Sequence, residues 1–144
     1  MRVLVQRSEK SSVKVNGNIV GKIESGLVIF VGFTDGDTYE KIDYLVNKIL
    51  KLRIFPDDNN IMNKSITDIN GEILSISQFT LYGDVSKGSR PSYIKALSQK
   101  DANMLYDYFN DKLSQYINVE TGIFRTDMVV KITNIGPTTI WLER

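Results

Sequence analysis

The sequence predicts an α+β fold, rich in strands, with two main helices against antiparallel or mixed β-structure. Three observations predict it. Two Asn-Gly pairs, Asn16-Gly17 and Asn70-Gly71, adjoin segments of strand length, and Asn-Gly accepts the positive φ that a tight turn demands. The apolar run from Gly26 to Phe33 has the length of a strand covered on both faces. Two stretches with three-to-four apolar spacing each follow a polar residue able to cap a helix.

Taken in order, residues 1–7 alternate as a strand with Val3, Val5 and Arg7 on one face. Ser12 to Val15 and Ile19 to Ile23 are the arms of a hairpin about Asn16-Gly17, and Gly26 to Phe33 is the next strand. Asp35-Gly36-Asp37 turns the chain, and Asp37 with Glu40 opens a helix that points Ile42, Leu45, Val46, Ile49 and Leu52 inward. Pro56 to Asn60 is a turn. A calcium loop there is disfavoured, because Met62 stands where the glycine belongs and no Glu closes the loop.

Asn70-Gly71 leads into a strand, Glu72 to Phe79. Leu74, Ile76, Gln78 and Thr80 share one face, and Ile73, Ser75, Ser77 and Phe79 the other. Ser98 and Asp101 open the second helix, with Leu105, Tyr108, Phe109, Leu113 and Tyr116 inward. Val119–Phe124, Met128–Ile135 and Thr138–Leu142 complete the chain as strands. With no linker, repeat or low-complexity tract, residues 1–144 read as one domain.

Composition prunes the function classes. A hydrophobic fraction of 42% and a charged fraction of 24% are ordinary for a globular chain. No apolar run approaches the ~18 residues of a membrane span, and the alternating start lacks a signal-peptide centre, so a cytoplasmic location is the default. Eighteen Lys and Arg against 17 Asp and Glu leave a net charge of +1. Any grip on nucleic acid is therefore local, and a DNA partner is not expected. The chain has no His and no Cys, which removes Ser-His-Asp triads, Cys-His pairs and His/Cys zinc sites. No metal or cofactor is expected. Ser-Lys or paired-carboxylate chemistry, backbone donors, or the substrate itself remain.

Four places carry candidate chemistry. Ser77-Gln-Phe-Thr-Leu-Tyr-Gly-Asp84 puts polar Gln78 and Thr80 at the end of an apolar strand, where they either satisfy loop backbone or offer donors to a ligand. Lys87-Gly-Ser-Arg-Pro91 places two cations around a glycine, either as a solvated loop or as a seat for phosphate. Asn134-Ile-Gly-Pro-Thr-Thr139 interrupts a strand with a proline, whose preceding bond is trans by default. Arg7 either snorkels at a strand end or holds backbone carbonyls, while Phe124 and Met128 read first as packing.

Together these segments resemble the D-aminoacyl-tRNA deacylases, long called D-tyrosyl-tRNA deacylases. The resemblance covers essentially the whole chain: Met1-Arg-Val-Leu-Val-Gln-Arg7, Leu52-Arg-Ile-Phe55, Ser77-Gln-Phe-Thr-Leu81, Lys87-Gly-x-Arg-Pro-Ser92 and Asn134-x-Gly-Pro-Thr-Thr139. In the last, Thr138 replaces the usual Val, one β-branched residue for another.

The resemblance implies a deacylase-like fold, a barrel-like β assembly with two main helices that works as a homodimer. It implies hydrolysis of the ester of D-aminoacyl-tRNA, and of glycyl-tRNA(Ala), with the terminal aminoacyl-adenosine as the recognised part. Ser77, Gln78, Phe79 and Thr80 are then the catalytic segment. Gly136-Pro137 is a cis dipeptide inserted into the partner subunit's site to reject L-amino acids. Arg7 braces that dipeptide, and Phe124 and Met128 lie near the adenine. The alternative class is a binding module for the tRNA 3′ end without turnover.

Overall fold

Asn16 and Gly17 both take positive φ (49° and 82°) and close a hairpin between strands β1 (Arg2–Val15) and β2 (Asn18–Gly32). A computed structural model describes the whole chain, Met1 to Arg144. The four expected segments between residues 1 and 33 merge into these two long strands. Helix α1 (Tyr39–Lys51) follows, then a small hairpin of β3 (Phe55–Pro56) and β4 (Met62–Lys64), then β5 (Glu72–Ser77). A 3₁₀ turn at Phe79–Tyr82, helix α2 (Gln99–Ser114), β6 (Asn118–Thr121) and β7 (Val129–Glu143) complete the chain.

The main sheet runs β6-β5-β2-β1-β7. Strand β1 pairs antiparallel with β2 and β7, while β2–β5 and β5–β6 are parallel. The helices cover one face, where Val3, Val5, Leu27, Ile29 and Val31 meet Ile42, Leu45, Ile49, Phe109 and Leu113 in the main core. A smaller cluster of Val13, Ile23, Val28, Leu74 and Ile76 lies on the other face. Strand β5 therefore buries side chains on both sides, as its apolar sequence requires.

Several expectations are corrected. The sheet is mixed and open rather than barrel-like: β6, only four residues long, and β7 are its two edges and do not pair. The α1 cap is Thr38, whose Oγ1 accepts from the Lys41 N–H, because the Asp37 carboxylate is taken by the Thr34 N–H at 2.9 Å. Ser98 caps α2 as expected. Tyr116 falls beyond that helix and is 63% exposed, whereas Tyr106 is buried with its hydroxyl donating to the Ser75 carbonyl at 2.8 Å. The strand expected at Glu72–Phe79 stops at Ser77, and the last two expected strands are one interrupted strand, β7. No helix is long and apolar enough to cross a membrane.

Gly26 sets how closely β2 and β5 approach. Its φ is 149°, and a Cβ there would lie 1.9 Å from the Glu72 carbonyl oxygen. Gly26→Ala combines a glycine-only conformation, costing about 1–3 kcal/mol, with displacement of the β5 backbone. It should lower the urea midpoint by the equivalent of at least about 2 kcal/mol; an unchanged midpoint would contradict this packing.

Candidate active site

The end of β5 is positioned by its parallel partner. The Gln78 N–H donates to the Val31 carbonyl at 2.7 Å, one step beyond the strand. The chain then leaves extended geometry at Gln78 (φ −144°, ψ 80°) and winds into the 3₁₀ turn. Gly32 permits this, since a Cβ there would meet the Gln78 carbonyl oxygen at 2.8 Å and crowd Leu81 and Tyr82. Gln78 and Thr80 thus do not share a strand face; the Gln78 side-chain amide donates to the Thr80 hydroxyl instead. The first N–H groups of such a turn have no partner inside it, and Phe79 and Thr80 occupy those positions.

A cavity of about 630 Å³ opens at this strand end. Ser77, Gln78 and Phe79 line one side, Phe124 and Met128 another, and Tyr93, Leu97, Ser98 and Ala102 a third. Gly122 seats Met128, because a Cβ at Gly122 would fall 2.4 Å from the thioether sulfur. The Phe124 ring lies 6.0 Å from that of Tyr106, which fixes that wall to α2. Leu97 N–H donates to the Phe33 carbonyl at 3.0 Å and ties the third wall to the sheet. Tyr93, Arg125 and Asp127 are the titratable side chains of the lining, and none hydrogen-bonds to Ser77 or Thr80. The arrangement offers backbone donors and apolar walls rather than a side-chain base.

Arg7, Gly136 and Pro137 lie elsewhere. In the β1–β7 pairing Gln6 faces Thr139 and Ser8 faces Asn134, so Ile135 to Thr138 bulge out opposite Arg7 alone. The Arg7 guanidinium donates to three carbonyls: Ile54 at 2.8 Å, Gly136 at 3.1 Å and Ile135 at 3.4 Å. Asn134 clamps the base of the bulge, its amide donating to the carbonyls of Arg7 (3.0 Å) and Thr138 (3.2 Å). The Gly136–Pro137 bond is cis, not the trans form that X-Pro statistics favour. Both residues are exposed, and nothing stands within 4 Å of where a Gly136 Cβ would project.

Within one chain, then, Ser77, Gln78, Phe79, Phe124 and Met128 converge on one cavity. Thr80 is beside it but not in its lining, and Gly136 and Pro137 form a separate exposed bulge held by the half-buried Arg7. Nothing local in the sequence marks the wall from Tyr93 to Ala102; the Ser98 cap there signals a helix start rather than a cavity.

A family model described as D-Tyr-tRNA(Tyr) deacylase matches residues 4–143. The chain belongs to this family. A D-aminoacyl-tRNA deacylase of Clostridium acetobutylicum is 51% identical over 144 residues, covering 99% of this chain and 97% of that protein. One from Listeria monocytogenes serotype 4a is 52% identical, with 99% and 95% covered. Among solved structures, the c-Myc DNA unwinding element binding protein superposes with a TM-score of 0.94 at 36% identity, covering 100% of this chain and 99% of that one. A probable eukaryotic D-amino acid tRNA deacylase shares the fold at a TM-score of 0.83 and 19% identity, with 98% and 97% covered.

The bulge depends on Arg7. Arg7→Ala removes donors to three carbonyls, each such charge-assisted bond contributing about 1.5–3 kcal/mol. Amide exchange across Ile135–Thr138 should accelerate by about tenfold or more; unchanged exchange would show that Asn134 alone holds the turn.

Proposed function

We propose that this chain hydrolyses the ester bond of D-aminoacyl-tRNA, releasing free D-amino acid and free tRNA as a proofreading step of translation in the cytoplasm. The observation that carries this reading is the cavity built by Ser77–Phe79 with Phe124 and Met128, in a chain matched over residues 4–143 to a deacylase family. Its apolar walls suit an adenosine, with Phe124 and Met128 beside the base and the ester carbonyl at the strand end.

The reaction needs little from side chains. Water adds to the ester carbonyl carbon, and the developing oxyanion is held by the Phe79 or Thr80 N–H, a contribution of about 10²–10³ in rate. The carbon–oxygen bond to the ribose then breaks, and the proton lost by water reaches the departing 3′ oxygen. The titratable lining side chains, Tyr93, Arg125 and Asp127, make no hydrogen bond to the strand end, so in this reading the adjacent 2′-OH, or water held by it, moves the proton. Thr80 Oγ1 accepts from Gln78 and has no base beside it, which argues against a nucleophilic role.

Chirality is read by a second copy of the chain. In this reading Gly136-Pro137 of one subunit enters the other's cavity, and its carbonyls accept hydrogen bonds from the substrate's α-ammonium group. An L side chain then collides with the dipeptide, while a D side chain points outward. Glycine has nothing to collide, so glycyl-tRNA(Ala) is also hydrolysed. Two features support a homodimer of this kind: Gly136 and Pro137 are exposed and lie outside the lining of the strand-end cavity, and β7 leaves a 15-residue edge unpaired.

Purified protein should hydrolyse D-Tyr-tRNA at least about 100-fold faster than L-Tyr-tRNA, a difference of about 2.7 kcal/mol in transition-state binding. Equal rates would remove the chiral reading. Stoichiometric binding without cleavage would make the chain a tRNA-end binding module instead.

A further inference from the structure

The cavity has an aromatic rim that ester hydrolysis does not use. Phe79 is 57% exposed and Tyr93 38% exposed, yet both line the cavity and pack edge to face, ring centroids 5.1 Å apart at 68°. Gly83 backs the Tyr93 ring, since a Cβ at Gly83 would meet it at 3.1 Å. The rim is thus a preformed aromatic surface facing solvent.

Beside it stands a loop with two free cations. Asp84 and Ser92 exchange backbone hydrogen bonds of 2.9 Å each, which pins the loop base next to Tyr93. The Asp84 carboxylate is engaged by the Ser86 N–H at 2.9 Å and Lys95 at 3.4 Å. Hydrogen bonds from Ser86, with Lys95 adding to them, hold it ionised down to a pKa of about 2. The Lys95 ion pair offsets the charge of the loop's own acid, while Lys87 and Arg90 at its tip are exposed and join no ion pair. Gly88 between them has φ 140° and open space around it, so the backbone is bare at the tip.

An exposed aromatic surface beside unpaired cations, continuous with a nucleoside-sized cavity, is the chemistry of a single-stranded nucleic-acid subsite. We propose that Tyr93, backed by Phe79, stacks an unpaired base that precedes the terminal adenosine of tRNA, and that Lys87 and Arg90 take the flanking phosphates. The proposal rests on the reading that the cavity holds that adenosine. It also reconciles a net charge of +1 with an RNA substrate, because only a few phosphates are gripped.

The test compares D-tyrosyl-tRNA with the D-tyrosyl ester of adenosine alone. On tRNA, Lys87→Gln/Arg90→Gln should lower kcat/KM by about tenfold through KM, and reduce the slope of log(kcat/KM) against log salt by about 1.4, from two single-strand phosphates at about 0.7 each. On the adenosine ester the double variant should match wild type. Tyr93→Leu should cost about 5–150-fold on tRNA, the range for one stacked base. No loss on tRNA, or equal loss of the double variant on both substrates, would overturn the proposal. Binding of uncharged tRNA by wild type and double variant reads the subsite without chemistry. If wild type cleaves neither ester but the variant still binds tRNA about tenfold more weakly, the hydrolase reading fails and the subsite stands.

Discussion

One guanidinium joins three parts of this chain. Arg7 sits on β1, and its donors reach the Ile54 carbonyl before β3 and the Ile135 and Gly136 carbonyls in the β7 bulge. Carbonyls of neighbouring residues in a tight turn repel one another, and a fixed cation between them offsets that repulsion. Lysine would not serve equally, because a point charge on a flexible stem lacks the planar fork that meets several acceptors at once. The turn can therefore hold its shape while Gly136 and Pro137 remain exposed. A braced turn whose Gly136 and Pro137 face solvent is the physical basis for proposing it as half of a shared site.

In the proposed shared site, the cavity half depends on backbone register. The parallel β2–β5 pairing runs from Gly26–Glu72 to Val31–Ser77, and the Gln78 N–H adds one more bond. Gly26 and Gly32 allow close approach at the two ends of that pairing. The strand end is thus located by main-chain contacts, and the groups it offers are main-chain groups. In the proposed reaction the chain contributes an oxyanion donor and position, and position alone can supply effective molarities of about 10⁵–10⁸ M. A chain without His or Cys is compatible with that division of labour, because the ester brings its own vicinal hydroxyl.

The legible parts of the fold were those with local causes. Asn16-Gly17 marked its hairpin because both residues must take positive φ, and Ile42, Leu45, Val46 and Ile49 marked the inner face of α1 by spacing. The illegible parts have distant causes. No Gly or Pro stands between Ser77 and Leu81 to end β5 locally; the chain leaves extended geometry at Gln78, where Gly32 of the neighbouring strand makes room for the turn. Nothing beside Gly136-Pro137 announces a cis bond, and the Arg7 that braces the turn lies at the opposite end of the chain. Ser77–Phe79, Phe124 and Met128 stand in motifs legible in the sequence and share the cavity. Tyr93 is illegible because it joins them only through a loop contact with Phe79.

In the proposed reaction the substrate, not a side chain, moves the proton. The most direct test is a D-tyrosyl-tRNA whose terminal adenosine lacks the 2′-OH, with the amino acid on the 3′ oxygen. The account predicts single-turnover hydrolysis slower by at least about 100-fold, the lower end of general acid–base contributions, with binding of the tRNA little changed. Hydrolysis within a few-fold of the ordinary substrate would contradict it and return attention to a protein group, Thr80 first.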